Sequence, residues 1–372
     1  MQVKSFQGLR NTSDPLRSGI SWLATADNVN ITDTGALEKR EGYTSIASGS
    51  FSGLYSTLDF QRCYLVDGGT LKTFEGAVLQ GNLFADPMYW TELNDQVFYS
   101  NGTDSGIINA DHEVIPWYWD IPADPVVTVV AGSLEPGTYQ VVCTTTLLDG
   151  RETGPSDPVE ITVDGTQALQ INCIGNIYIS PANSTIFHYA GQDSLFWNDS
   201  PDALGRELLT DGFEPLPPGG ESIQAWRGRI YMAMFMPGEN QTAIWFSEPF
   251  GPHLFNPEAN FFMVPGHALM LAPTKDALIV GTDQRIYAYN SESLVELAPY
   301  GVVPGQHWAA DGDRTLFWAT RGVCSALPFT NLTERNVSVP PGIHAGGILM
   351  QQGGQKRFLV AIQSGGSAFN VF

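Results

Sequence analysis

Side chains able to do chemistry are plentiful in this 372-residue chain, but their spacing serves none of the familiar reactions. The six histidines, His112, His188, His253, His267, His307 and His344, are scattered. None stands four residues from another, as a His-Glu-x-x-His zinc helix needs, and none falls with Cys or Glu in a ligand pattern. Each is expected to be a packed or hydrogen-bonded strand residue. Cys63, Cys143, Cys173 and Cys324 lie far apart without a Cys-x-x-Cys pair, so they are expected to be buried free thiols. "DGDRT" (311–315) begins like a calcium loop but lacks the later Asp/Asn ligands and the distal Glu, and reads as a hairpin turn. There is no Gly-x-Ser-x-Gly elbow and no phosphate-cradling Gly-x-x-x-x-Gly-Lys loop. Glycan hydrolysis by paired carboxylates is the enzymatic alternative. With 39 Asp and Glu in the chain, however, pairs arise without meaning. The expectation is therefore no catalytic residue, no cofactor and no metal.

Two short stretches suggest contact rather than catalysis. "PWYWD" (116–120) sets Trp117, Tyr118 and Trp119 side by side. In a strand, consecutive side chains point to opposite faces, so at least one ring should be exposed or covered by another chain. Packing at a domain junction, a subunit interface and a ligand site all fit this pattern. Near the amino terminus, "NVNITDTGALEKREGYTSI" (28–46) reads as a strand, a turn at 33–35 and a returning strand from Leu37 to Ile46. Lys39 and Arg40 would then face solvent or a neighbouring subunit. An early strand of this kind can complete the sheet built by the carboxy terminus and close a ring without a free edge, so the stretch is expected to be a clasp.

The elements that carry these residues are strands. Hydrophobic residues make up 43 % of the chain and charged ones only 15 %, with 39 Gly and 24 Pro, a composition suited to short strands joined by tight turns. Hairpins recur at 60–74, 94–109, 226–248, 275–290, 312–327 and 355–372, spaced to leave room for outer strands. The expected fold is all-β: a β-propeller in two parts, 1–121 and 191–372. Between them the pattern changes. Residues 122–190 are expected to form an inserted β-sandwich, immunoglobulin- or fibronectin-like, with 214–223 as a linker back. The net charge of −21 argues against general affinity for nucleic acid or anionic membrane. The first residues lack a hydrophobic signal region and no apolar run approaches about 18 residues, so synthesis in a reducing cytoplasm and no membrane insertion are expected.

Leu37, Arg40 and Gly42 in "LEKREG", Gly228 to Tyr231 in "GRIY", and Trp245, Ser247 and Pro249 in "WFSEP" together resemble the propeller proteins of bacteriophage tails, of the tail-nozzle or DNA-stabilisation type. That resemblance implies a structural virion protein, assembled as a ring of copies, a hexamer by analogy with that group, which encloses part of the DNA exit channel. Its implied partners are an adaptor, tail fibres and genome DNA that passes without tight binding; an acidic wall suits such passage. A receptor-binding tail-tip or fibre protein and a propeller glycosidase are the alternative functions.

Overall fold

The computed structural model describes residues 5–364 and 369–371, except 33, 41, 43, 47, 85, 118, 217, 218, 313, 353 and 354. Regular structure among them is strand throughout, apart from one 3-10 turn at Pro201–Ala203. No helix among the described residues is long and apolar enough to cross a membrane.

Six antiparallel sheets succeed one another, each a meander in chain order. Sheet 1 runs from Phe51–Ser56 through Cys63–Asp67 and Thr70–Thr73 to Val78–Gln80; sheet 2 begins at Tyr89–Leu93 and ends at Val114–Ile115. Sheet 3 runs from Ile223–Trp226 through Arg229–Met236 and Gln241–Phe246 to Phe261–Pro265. Sheet 4 opens at Ala268–Pro273, sheet 5 at Trp308–Asp311 and sheet 6 at His344–Gln352. Sheets 1 to 5 have four strands and sheet 6 three. The opening strands of sheets 2 to 6 stand beside one another in order, which makes the fold propeller-like.

Local chemistry fixes the hairpins. Two-residue turns need left-handed backbone at both positions to match strand twist. Gly68 and Gly69 supply it in sheet 1, Asn94 and Asp95 in sheet 2, and Arg227 and Gly228 in sheet 3. Alternation then sends one face of each sheet into a shared core. Tyr64, Val66 and Leu71 of sheet 1 pack with Trp90, Val97 and Tyr99 of sheet 2. Further clusters join sheets 2 and 3, 3 and 4, 4 and 5, and 5 and 6. Among the described residues, no buried apolar cluster joins sheet 6 back to sheet 1.

The stretch expected to close that seam does something else. Val29–Ile31 and Leu37–Lys39 pair with each other, and neither joins sheet 6 among the described residues. Gly35 lies against the start of the chain, where Phe6 N–H donates to its carbonyl at 2.8 Å. The return through 32–36 therefore satisfies the hairpin locally, with Thr32 N–H donating to the Ala36 carbonyl at 2.9 Å. The tie to the far end of the chain comes earlier: Asn11 donates to the Asn336 and Ser338 carbonyls, both at 2.9 Å, and accepts from Ser338 N–H at 2.7 Å.

The segment 301–307 forms a hub. Val302 N–H donates to the Thr282 carbonyl of sheet 4, Gly305 N–H to the Tyr89 hydroxyl of sheet 2, and Gln306 Nε2 to the Trp90 carbonyl. Ala345 and Gly347 of sheet 6 donate to Pro304 and Gln306, and Trp318 of sheet 5 donates to His307. A β-carbon at Gly305 would stand 2.1 Å from the Ala345 carbonyl oxygen, so only glycine fits the crossing.

Between sheets 2 and 3 lies the inserted sheet of Val126–Ala131, Gly137–Thr144, Val159–Val163, Gln167–Ile179 and His188–Trp197. Its strands form one five-stranded ladder, and the last continues to Trp197, past the expected end at 190. Its spine is Gln167–Ile179, which pairs along one edge with His188–Trp197 and along the other first with Val126–Ala131, then with Gly137–Thr144. A register shift between Asn172 and Asn176 bends it, so that one sheet closes over its own core of Tyr139, Val141, Leu169, Ile171 and Trp197.

Candidate functional site at the junction of the inserted sheet

Trp117 follows directly on the last strand of sheet 2. Its ring is 1 % exposed, set edge-on to Phe98 at 5.3 Å, and its Nε1–H donates to the Pro252 carbonyl at 2.7 Å. Of the three places left open for this ring, packing at the junction is the one it takes. An indole whose one donor is satisfied by the loop between the third and fourth strands of sheet 3, among Tyr89, Leu216 and Phe255, belongs to the interior of the chain. Tyr118 lies outside the described residues. Trp119 is 42 % exposed. Lys39 is exposed and Arg40 half-buried, both at the amino-terminal hairpin and remote in the strand order from Trp117.

The inserted sheet reaches back to this tryptophan through the turn at 147–153. Arg151 Nη1 donates to the Trp117 carbonyl at 2.7 Å and Nη2 to the Pro116 carbonyl at 2.9 Å, while Nε meets Asp149 Oδ2 at 2.6 Å. A guanidinium fork offered three oxygens in different directions fixes orientation as well as distance. The next residue works in the opposite sense. The Glu152 carbonyl accepts from His253 Nε2–H at 3.0 Å, whereas its carboxylate turns into the inserted sheet. There it accepts from Asn176 Nδ2 at 2.9 Å, Tyr178 Oη at 2.8 Å and Arg206 Nη2 at 3.0 Å. Burial, with the Arg151 charge adding to it, holds His253 below the ordinary histidine range. The ring is therefore neutral at pH 7 and keeps one N–H for that carbonyl. A β-carbon on Gly154 would lie 1.8 Å from the Phe213 carbonyl oxygen, and Glu214 and Phe255 exchange backbone hydrogen bonds at 2.8 and 3.0 Å.

Chemically this arrangement grips. The Trp117, Arg151 and His253 donors are spent on carbonyls and a carboxylate. The thiols are not activated at neutral pH. Burial raises Cys63, Cys143 and Cys173 and pushes Cys324 up to about 11, the reverse of an activated nucleophile. All four are free, but only Cys143 and Cys324 are buried; Cys63 and Cys173 are half-buried, since each sits near a turn or bulge. No group of three metal-binding side chains occurs among the described residues.

Sequence reasoning missed Arg151, Glu152 and His253. "LDGRET" carries a turn signal at Asp149-Gly150, but a charged pair beside a turn is ordinary surface, and only the fold brings His253 to it across 101 positions. The motif residues of 228–247 are brought together in sheet 3, away from Leu37, Arg40 and Gly42 at the amino-terminal hairpin. Gly228 and Tyr231 flank the first turn of sheet 3, and Trp245 and Ser247 end its third strand. Ile230 N–H donates to Ser247 Oγ at 3.0 Å, Ser247 N–H returns to the Ile230 carbonyl at 2.9 Å, and Arg229 Nη1 meets the Ser247 carbonyl at 2.9 Å.

No protein-family model and no curated protein matches the chain. Among solved structures it is similar to the BBS1 fragment crystallised with ARL6, at 12 % identity over 88 % of this chain and 92 % of that one, with a TM-score of 0.35. It is also similar to apo AztD from Citrobacter koseri, at 12 % identity over 82 % and 89 %, TM-score 0.29. PorZ of Porphyromonas gingivalis matches at 12 % identity over 92 % of this chain and 55 % of its own, TM-score 0.27. At such scores the propeller-like description rests on the strand order itself.

Proposed function

We propose that the chain is a structural protein of a bacteriophage tail, made in the host cytoplasm and carried in the virion as a ring of copies, a nozzle or hub around the DNA exit channel. It is not an enzyme on this reading and takes no cofactor. Its partners are further copies of itself, an adaptor and fibres, and DNA that passes without tight binding; six copies is the number the resemblance implies. The inserted sheet is read as an immunoglobulin- or fibronectin-like module held between the two parts of a propeller.

The observation that carries the reading is the apolar exposure of sheet 1. Its one face packs on sheet 2, but Leu54 is 66 % exposed and Val78 65 %, and Leu58 and Phe60 in the adjoining turn are each 84 % exposed. On a chain of net charge −21 such a surface fits a subunit whose neighbour covers it. The hub adds a constraint. The segment 301–307 crosses between sheets 2, 4, 5 and 6, so a conduit would lie between copies rather than through one. Acidic side chains lining it would repel the phosphates of passing DNA.

Sedimentation velocity tests the assembly. The full chain should form one closed oligomer of several copies, and Leu54→Asp with Phe60→Asp should reduce it to a folded monomer. A wild-type monomer at every concentration, or an oligomer indifferent to both substitutions, contradicts the proposal.

A further inference from the structure

Two of the four cysteines meet inside the inserted sheet. Gly137–Thr144 turns Tyr139, Val141 and Cys143 toward the core, and Gln167–Ile179 turns Leu169, Ile171 and Cys173 toward the same core. The bend in the second strand brings the thiols together. Between Asn172 and Asn176 it carries more residues than its partner does between Ser194 and Gln192, so 173–175 bulge from the ladder. Gly175, at φ +119°, makes this possible. A β-carbon there would stand 2.2 Å from the Thr144 carbonyl oxygen, so the bulge presses directly on the residue after Cys143. The Sγ atoms of Cys143 and Cys173 lie within hydrogen-bonding reach of each other. Cys143 is buried and Cys173 half-buried, so one sulfur is shielded and the other open to a reagent.

We infer that Cys143 and Cys173 are a redox-reactive pair that closes to an intrachain disulfide when the chain meets a low-molecular-weight disulfide such as oxidised glutathione. Cys173 gives its proton to solvent, and its thiolate attacks one sulfur of the reagent. The reagent S–S bond breaks, one glutathione thiolate leaves with the electron pair, and a mixed disulfide remains on Cys173. Cys143, deprotonated in turn, attacks Cys173 Sγ and expels the second glutathione thiolate. Two protein thiols are oxidised, one reagent disulfide is reduced, and the two protons end on the two released thiols. Since both side chains enter one core, side-chain rotation brings the sulfurs to the bonding distance of about 2.05 Å. Cys63 lies in sheet 1 and Cys324 in the core between sheets 4 and 5, so neither offers a competing intrachain partner. The product would staple the bulge to the neighbouring strand and fix the bend of the inserted sheet.

Treating the native full chain with oxidised glutathione, followed by intact-mass and non-reducing peptide analysis, tests this. The mass should fall by two hydrogen atoms, with a single linkage joining Cys143 to Cys173. Below the thiol pKa the rate should rise roughly tenfold per pH unit, because only the thiolate reacts. Cys143→Ser should stop at a glutathione adduct on Cys173, whereas Cys63→Ser with Cys324→Ser should react like wild type. Stable adducts on the wild-type chain without a linkage, a linkage through Cys63 or Cys324, or linkage only after denaturation would each overturn the inference.

Discussion

His307 sits where sheets 2, 4, 5 and 6 meet, fully buried, with its Nε2–H donated to the Val303 carbonyl at 2.8 Å. Burial pushes its pKa down to about 4, so the folded chain holds a neutral ring. An unfolded chain takes up the proton as pH falls through about 6.5. Stability is therefore complete above that value, drains away between about 6.5 and 4, and loses nothing further from this group below 4, for a total of about 3 kcal/mol. His253 is depressed in the same direction and adds to the same acid loss. Urea midpoints of wild type and His307→Phe at pH 7 and pH 5 check this: the variant starts lower but should show a smaller fall. An equal fall would remove His307 as the source. Trp117→Ala should cost about 3–5 kcal/mol in the same assay, as large aromatic truncations in a core do. The pattern of residues 116–120 had left junction, interface and ligand site open, because alternation says that neighbours face opposite ways but not which face is interior. The Pro252 carbonyl decides that for Trp117, and it comes from 135 positions away.

At the scale of elements, the motif that carried the resemblance is a corner of sheet 3. Ser247 is fully buried; its hydroxyl accepts from Ile230 N–H and donates to the Glu248 carbonyl, stitching the first hairpin to the third strand. Ser247→Ala leaves that buried N–H without its partner and should cost about 1–3 kcal/mol. Ser247→Thr, which keeps the hydroxyl, should recover part of it if the extra methyl is accommodated. A neutral Ser247→Ala in chemical denaturation would mean the corner is not held this way. Hairpins such as Cys63–Asp67 with Thr70–Thr73 were legible because Asp-Gly-Gly between alternating strands encodes turn and register at once. Two element-level readings differed. The last strand of the inserted sheet continues through "GQDS", whose residues read as turn, because pairing with Gln167–Ile179 outweighs their low strand propensity. The amino-terminal hairpin satisfies itself, and Asn11, which nothing in "GLRNTSD" marks out, makes the long-range tie instead.

Across the whole molecule, six meanders in order were readable from recurring hairpins, but their closure was not. Inter-sheet cores depend on which face each strand buries, and sheet 1 leaves Leu54 and Val78 exposed where a closed ring would cover them. That open apolar surface, a net charge of −21 and a centre crossed by 301–307 together favour a subunit that finishes its packing, and forms any conduit, only in company. Electron microscopy of the purified full chain, with two-dimensional class averages, tests this most directly. A tail ring should give closed rings of identical copies around a central opening wide enough for a DNA duplex, with the propeller-like bodies arranged around it. Isolated monomers at all concentrations, or assemblies with no central opening, would contradict it.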